Sequence, residues 1–461
     1  MTLSPEPADF DAGGEIEAAL AALPATPSRL ARVRALVTWN LFQPLAAVFA
    51  RGLEVVAKFG FQIAVARCLS RDEAGLFLLG LSVTSVLQTV AMAGIGRALV
   101  LFIARANRDG SRQDVFGIAV AGLGALLLFA GAVGIAIVAF AGPISTYVFH
   151  KPELTLVLQW LSLAAVCYAL LTGIAGVLTA LGAAIIGDFL RSSFWPALTA
   201  LMLLAADHSA VSAGLLTSLS TLLATLIAWI FMRKLAPGGW PSLRGLKPPP
   251  GLIETAIPLG VVDVIGVILV SVPTLVLGSL VPAGSVAIFS VANRIANVFI
   301  TVVGAIGNAA SPRFALLSDE GDRKRLGKVV SHMGLLAAAV CLPPALLLIA
   351  FPSEAMGLFG HAYRDGGAVL RVLILGDLVF IGFACCTELL AMAGQGKLLR
   401  RLNFVLLGAC GVFSAVLIPT FGAMGAAWAM ALTMSLNGIL VGFGVARRLK
   451  LSPVPLLAGL A

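Results

Sequence analysis

Long apolar segments recur along most of the chain and limit what it can fold into. Twelve such segments, separated by glycine, proline or charged residues, predict membrane spans at 44–69, 74–103, 115–141, 154–182, 192–207, 210–232, 252–279, 283–310, 329–351, 368–393, 402–419 and 423–446. A helix needs about 20 apolar residues to cross a bilayer. The sequence therefore predicts an all-α polytopic membrane protein with about 12 transmembrane helices.

Composition excludes the main soluble classes. Charged residues make up 11% of the 461 residues and apolar types 59%, whereas a soluble domain carries about 25% charged residues. The sequence has no HExxH, Walker, GxSxG or Cys/His metal motif, so we expect no enzymatic activity, metal or cofactor. We interpret the net charge of +9 as basic loops at a membrane face rather than as nucleic-acid binding.

Lysines and arginines alternate from loop to loop. One set of connections holds 22 of them, and the alternate loops hold only Arg67, Arg71, Lys151 and Arg364. Basic loops tend to stay in the cytoplasm, so both termini are predicted to be cytoplasmic. Residues 1–34, which begin with an acidic and proline-containing stretch, are predicted to form a disordered cytoplasmic tail, and 451–461 a C-terminal tail.

The chain divides into two similar halves, 35–235 and 252–450, joined by a cytoplasmic linker at 236–251 that is rich in proline and glycine. An offset of 209 residues places Glu54 on Asp263 and Ala74-Gly75 on Ala283-Gly284. Each half has an even number of predicted spans, so the repeat is parallel, with its axis along the membrane normal. We expect two pseudo-symmetric six-helix lobes around a central cavity.

Two polar stripes are candidates for lining that cavity, because charges at bilayer depth usually face the protein interior. Arg51, Glu54, Lys58 and Gln62 lie within an arc of about 80° on the first span. Asn293, Arg294, Asn297, Thr301 and Asn308 lie within an arc of about 100° on the eighth. Two cations against one carboxylate in the first stripe suit an anionic ligand, although local pairing of Glu54 with its neighbours is the alternative.

Arg97 and the buried carboxylates allow two interpretations each. Arg97 follows Gly94-Ile95-Gly96 and can either face the rim of the cavity or extend to the lipid headgroups. The carboxylates at bilayer depth can couple transport to protons or simply orient the arginines and Lys58. They are Glu54, Asp263, Asp377 and Glu388, of which the last two are spaced to share one face of the tenth span.

Short sequence motifs in both halves resemble those of a known protein family. The first half has Ala74-Gly75-Leu76-Phe77 and Gly94-Ile95-Gly96-Arg97-Ala98, and the second has Ala287 to Ile295 and Ser311-Pro312-Arg313-Phe314-Ala315. With the two halves of about 210 residues, the chain resembles the polysaccharide-transporter branch of the multidrug/oligosaccharidyl-lipid/polysaccharide flippase superfamily. The resemblance covers about residues 35 to 450.

The resemblance implies a flippase that moves polyprenyl-pyrophosphate-linked oligosaccharide repeat units across the bacterial cytoplasmic membrane by alternating access, for surface polysaccharide biosynthesis. It implies a cationic cavity with Arg51, Lys58 and Arg294 inside and Arg97 at the rim. The implied partners are the lipid-linked oligosaccharide, membrane lipids, a polysaccharide polymerase and glycosyltransferases.

Other functions remain open. A multidrug and toxin extrusion cation antiporter of the same superfamily would use buried acids, and Asp377 and Glu388 fit that role. A lipid-linked peptidoglycan-precursor flippase is a close relative. A non-transporting scaffold for polysaccharide assembly would not require polar stripes at bilayer depth.

Overall fold

The chain is almost entirely helical over the residues that the structure, a computed structural model, describes: 52–92, 94–108, 112–235 and 251–451. Within those ranges there is no β-strand. We number the helices in chain order, beginning with α1 at residues 52–68. The others are α2 (Arg71–Met92), α3 (Ile95–Arg108), α4 (Arg112–Pro143), α5 (Leu154–Ala180), α6 (Ala184–Phe189), α7 (Trp195–Leu203), α8 (Ala210–Leu235), α9 (Leu252–Leu280), α10 (Ala283–Asp319), α11 (Arg323–Ala350), α12 (Pro352–Gly357), α13 (Gly367–Ile381), α14 (Cys386–Met392) and α15 (Gly396–Leu449).

The helices agree with the predicted spans. Eight helices in the described ranges are long and apolar enough to cross a membrane, and the bent pair His361–Ile381 and Cys386–Met392 forms a ninth candidate. The predicted spans 402–419 and 423–446 both lie in α15, which Gly422 divides with φ 56° and ψ −129°, values outside the helical region. The expected all-α polytopic membrane fold is confirmed.

The fifth span starts earlier than predicted. We expected it at 192–207, but the chain is helical from Ala184 to Leu203, through α6, a π-helical turn at Leu190–Phe194 and α7. The earlier turn carries Asp188 and Arg191, which are charges atypical of a span. In the structure Arg191 Nη2 donates to Asp188 Oδ1 at 2.9 Å, so the pair is neutralised locally and the helix tolerates both residues.

The tenth span is broken. The sequence predicted one helix over 368–393, but α13 ends at Ile381, α14 begins at Cys386, and the two helices bend by 43°. Cys385 lies at the break with φ 65°, in the left-handed region. Asp377 and Glu388 therefore belong to different helices, and the expectation that they share a face of one helix is wrong.

Several predicted segments lie outside the described residues. They are the tail at 1–34, all of the linker at 236–251 except Gly251, and all of the tail at 451–461 except Leu451.

The helices of each half pack mainly within that half. In the first half α5 packs against α8, α4 and α2, and in the second α15 packs against α13 and α9. The halves meet where α2 and α3 pack against α9 and α10. The cavity described below is lined by three of these four helices.

The repeat positions identified in the sequence touch each other across this junction. Gly75 packs so tightly on α10 that an added Cβ would lie 1.8 Å from the Ala283 carbonyl oxygen. The Gly284 backbone N–H donates to Asp72 Oδ1 at 2.9 Å. Contact between matched positions is expected at a pseudo-two-fold axis, where one motif meets its own copy.

Replacing Gly75 with alanine should destabilise the protein. The new methyl group would overlap backbone atoms of Ala283, and overpacking of this kind costs about 1–3 kcal/mol. The control is Gly124→Ala, since a Cβ at Gly124 of α4 would meet nothing within 4 Å. Thermal unfolding in detergent should show a lower Tm for Gly75→Ala alone, and equal Tm values for the two variants would contradict the close contact.

The loops that contain few cations lie on one face of the protein. Lys151 Nζ donates to the carbonyl oxygens of Gly278 and Val281 at 2.6 and 3.0 Å, and Arg67 Nε donates to Leu358 O at 3.0 Å. These contacts join loops of the two halves. We call this the cation-poor face, defined by the loops at 69–70, 149–153, 204–209, 281–282 and 358–366.

Candidate functional site

A cavity of about 490 Å³ lies between helices of the two halves. Lys58 and Gln62 line it from α1, and Asn293, Arg294 and Asn297 line it from α10. Two residues of the first predicted stripe and three of the second thus line one cavity, while Glu54 is not among the lining residues. The other lining residues are Phe61, Leu78, Leu81, Ser82, Ser85, Trp195, Pro196, Gly266, Val267, Val270, Ser271, Thr274 and Ser290.

Arg294 dominates the charge of the cavity among the described residues. Lys58 Nζ lies 2.5 Å from Glu54 Oε1, one helical turn earlier on α1, so this cation is largely neutralised locally. Glu54 also acts electrostatically on Arg294 from a greater distance. No carboxylate lines the cavity in the described part of the chain. The remaining net charge is therefore positive and is carried by α10.

The neutral part of the lining suits a polyhydroxylated ligand. Gln62, Asn293 and Asn297 offer amide groups that both donate and accept hydrogen bonds. Ser82, Ser85, Ser271, Thr274 and Ser290 add hydroxyl groups along the same walls. The cavity can therefore bind an anion that carries hydroxyl groups, with Arg294 contacting the charge and the amide and hydroxyl side chains hydrogen-bonding the hydroxyl groups.

Arg97 and Asp263 form an ion pair between the halves. Arg97 Nη2 on α3 lies 2.8 Å from Asp263 Oδ1 on α9, and neither residue lines the cavity. Asp263 is the repeat counterpart of Glu54, but the two carboxylates behave differently. Glu54 pairs within its own helix, whereas Asp263 holds an arginine of the other half, which agrees with an orienting role for Asp263.

Asp377 and Glu388 lie away from the cavity. Asp377 is 4% exposed, and its Oδ2 has no hydrogen-bond partner among the described residues. Glu388 packs against α10 at Gly307, where an added Cβ would come within 2.7 Å of its carboxyl carbon. Neither carboxylate can contact a ligand in the cavity in this conformation. Arg51, the remaining candidate, lies outside the described residues.

Sequence reasoning missed the contributions of α7 and α9. Trp195 and Pro196 reach the cavity from α7, and Ser271 and Thr274 from α9. Single serines and threonines occur on many apolar helices, so the last two give no distinctive signal. The one local indication was Pro196 inside a predicted span, because proline within a helix commonly kinks it.

Comparisons with known proteins relate the chain to several membrane proteins. Residues 46–318 match the family model described as "Polysaccharide biosynthesis protein", and residues 258–417 match the one described as MatE. The probable flippase AglR of Haloferax volcanii is 26% identical over 172 residues. The match covers 36% of this chain and 36% of that relative, so the similarity extends over about a third of the relative's length.

Two solved structures show the same fold. One is the inward-facing conformation of a multidrug resistance MATE family transporter of the MOP superfamily, with TM-score 0.69, 15% identity and coverage of 86% of this chain and 94% of that one. The other is the lipid II flippase MurJ in an inward closed conformation, with TM-score 0.68, 13% identity and coverage of 88% and 87%. At these identities the likeness concerns the fold alone.

Proposed function

This chain belongs to the polysaccharide biosynthesis protein family, among the flippases and transporters of the MOP superfamily, and we propose on that premise that it flips polyprenyl-pyrophosphate-linked oligosaccharides. The family and the fold point to a multi-pass membrane transporter or flippase. In this proposal the repeat unit crosses the bacterial cytoplasmic membrane for surface polysaccharide biosynthesis. The glycosyltransferases that build the unit and the polymerase that joins units would act before and after it.

The observation that carries the proposal is the net positive lining of the cavity, which includes no carboxylate among the described residues. A pyrophosphate must leave water to cross hydrocarbon, and fixed positive charges offset part of that cost. Arg294 supplies a guanidinium, which binds phosphate oxygens in a bidentate geometry. Gln62, Asn293 and Asn297 would hydrogen-bond the sugars, while the lipid tail stays in the bilayer.

Contacts on the cation-poor face support alternating access. Lys151 and Arg67 join the halves there by direct hydrogen bonds, which in this proposal hold the central cavity closed towards this face. The charge pattern of the loops predicts that this face is extracytoplasmic. The conformation would then be the one that receives substrate from the cytoplasm, and the two solved relatives are likewise described as inward-facing or inward closed.

A multidrug cation antiporter is the second candidate. The fold likeness to the MATE family transporter and the buried carboxylate of Asp377 favour it. A positive cavity repels an organic cation, however, and Asp377 lies outside the cavity lining. A peptidoglycan-precursor flippase fits the same cavity, because its substrate also carries a polyprenyl pyrophosphate.

Purified protein in liposomes can separate the first two candidates. Vesicles would contain undecaprenyl pyrophosphate with one fluorescent sugar, and a membrane-impermeant quencher would report the fraction on each leaflet. We expect exchange between leaflets with the protein present and no uptake of ethidium under a pH gradient. Ethidium uptake without lipid exchange would instead identify a drug antiporter.

A further inference from the structure

A second cavity, of about 520 Å³, opens on the cation-poor face. The first half contributes Arg67, Ser70 and Arg71 to its lining, and the second half contributes His361 and Tyr363. No carboxylate lines this space within the described residues. The cavity is separate from the central one, with which it shares no lining residue.

Three buried donor atoms of residues that line this cavity make no hydrogen bond within the described residues, although one of them forms an ion pair. Tyr363 is 1% exposed, and its hydroxyl group makes no hydrogen bond within the described residues. Arg71 Nε and Nη2 are also buried without a hydrogen bond, and Nη2 lies 3.5 Å from Asp365 Oδ2. Arg71 and Tyr363 both line this cavity, one from each half. Buried donors of this kind are costly unless an acceptor reaches them.

Cations are concentrated at this cavity although they are rare on this face. Of the four cations that the sequence assigns to the alternate loops, Arg67 and Arg71 line the cavity. Arg364 packs beside it, since a Cβ at the lining residue Gly357 would lie 3.0 Å from Arg364 Nε. Loops on the extracytoplasmic side of a membrane usually contain few lysines and arginines. Asp365 pairs with Arg71 at 3.5 Å and offsets one of the three charges, so this cluster keeps an excess of positive charge that suits an anionic ligand.

We propose that this outer cavity binds a phosphate group, either from the headgroup of an anionic membrane lipid or from a pyrophosphate. In this proposal the guanidinium of Arg71 and the hydroxyl of Tyr363 donate to a phosphate oxygen that enters the cavity. Arg67 is exposed and can donate from its terminal nitrogens. Guanidinium groups pair with phosphate oxygens through short, charge-assisted hydrogen bonds.

The bound phosphate would bridge the two halves. Arg67 and Arg71 belong to the first half, and Tyr363 and His361 to the second. A ligand held by both stabilises the arrangement in which the cation-poor face is closed. This site does not depend on the flippase function, because it lies apart from the central cavity and needs no transported substrate.

Binding assays on the full chain test the proposal. In one assay, the protein in nanodiscs of zwitterionic lipid would be titrated with inorganic pyrophosphate. In a second assay, native mass spectrometry of protein from a mixed membrane would compare the number of retained phosphatidylglycerol molecules with that of phosphatidylcholine. We expect Arg71→Gln and Tyr363→Phe each to weaken binding of the preferred probe by about tenfold, because each removes a donor to a charged group. Tyr363→Phe removes a single oxygen atom, so it keeps the test valid if Arg71→Gln does not fold.

Two control variants make the result decisive. Arg313→Gln changes an exposed arginine on α10 and should retain all binding. Arg294→Gln should lose only the pyrophosphate binding of the central cavity and keep the component that depends on Arg71 and Tyr363. Selective retention of phosphatidylglycerol would identify a lipid headgroup, and selective binding of pyrophosphate would identify the free or lipid-linked form. Phosphate binding that is lost in Arg294→Gln and kept in Arg71→Gln and Tyr363→Phe would overturn the proposal, as would no binding of either probe to the wild-type protein.

Discussion

Replacing Arg294 with glutamine should reduce lipid flipping by roughly 10- to 100-fold, since a hydrogen bond to a charged group contributes about 1.5–3 kcal/mol. Among the described residues Arg294 carries the positive charge of the central cavity, because Lys58 is paired with Glu54 at 2.5 Å. Without Arg294 the pyrophosphate would enter a nearly neutral space and lose its bidentate partner. The rate of leaflet exchange in liposomes measures the effect.

Two matched variants control this prediction. Arg294→Lys keeps the charge but not the planar fork, so it should retain part of the activity. Arg313→Gln makes the same substitution on the same helix at an exposed position, and it should transport like the wild-type protein. Wild-type flipping by Arg294→Gln, or equal losses in both glutamine variants, would remove Arg294 from the substrate site.

Replacing Lys151 with methionine should open the cation-poor face. Its ammonium group donates to Gly278 O, Val281 O and Phe149 O, and the first two acceptors lie in the other half. Losing two hydrogen bonds from a charged donor costs about 1.5–3 kcal/mol each. The equilibrium between closed and open states should therefore shift by at least about tenfold towards the state open at this face.

Distance measurements between the two halves can detect this shift. Spin labels at Ser70 and Ala362, both exposed on the cation-poor face, would report their separation by electron–electron double resonance. Cys68 is first replaced by serine, since the other five cysteines are buried. Lys397→Met, at an exposed position outside the cation-poor face, is the control. A distribution for Lys151→Met that matches both wild type and control would show that Lys151 does not hold the closed state.

Helical periodicity and the internal repeat predicted the features of the fold that depend on local sequence pattern. Stripes with helical spacing placed Lys58, Gln62, Asn293, Arg294 and Asn297 on one face of their helices, and a cavity between the halves then follows from the repeat. The same repeat identified Gly75 and Ala283, which touch in the structure. These features depend on spacing along the chain, which the sequence contains directly.

Features that depend on neighbouring helices could not be predicted. The pairing of Arg97 with Asp263 joins residues far apart in sequence, and either could have met another partner. The break has a cysteine rather than a glycine at the residue with positive φ, Cys385. Gly382, at the end of α13, is one of many glycines within apolar segments and did not single out this position. Ser271 and Thr274 became cavity residues only because α9 packs beside α10.

The most direct test of the flippase proposal is a deletion strain examined for two quantities together: lipid-linked oligosaccharide on the cytoplasmic face, and retention of a cationic dye. We expect the lipid-linked sugar to accumulate, dye efflux to stay normal, and a plasmid with the wild-type gene, but not Arg294→Gln, to reverse the accumulation. Retained dye with normal surface polysaccharide would contradict the proposal and identify a drug antiporter.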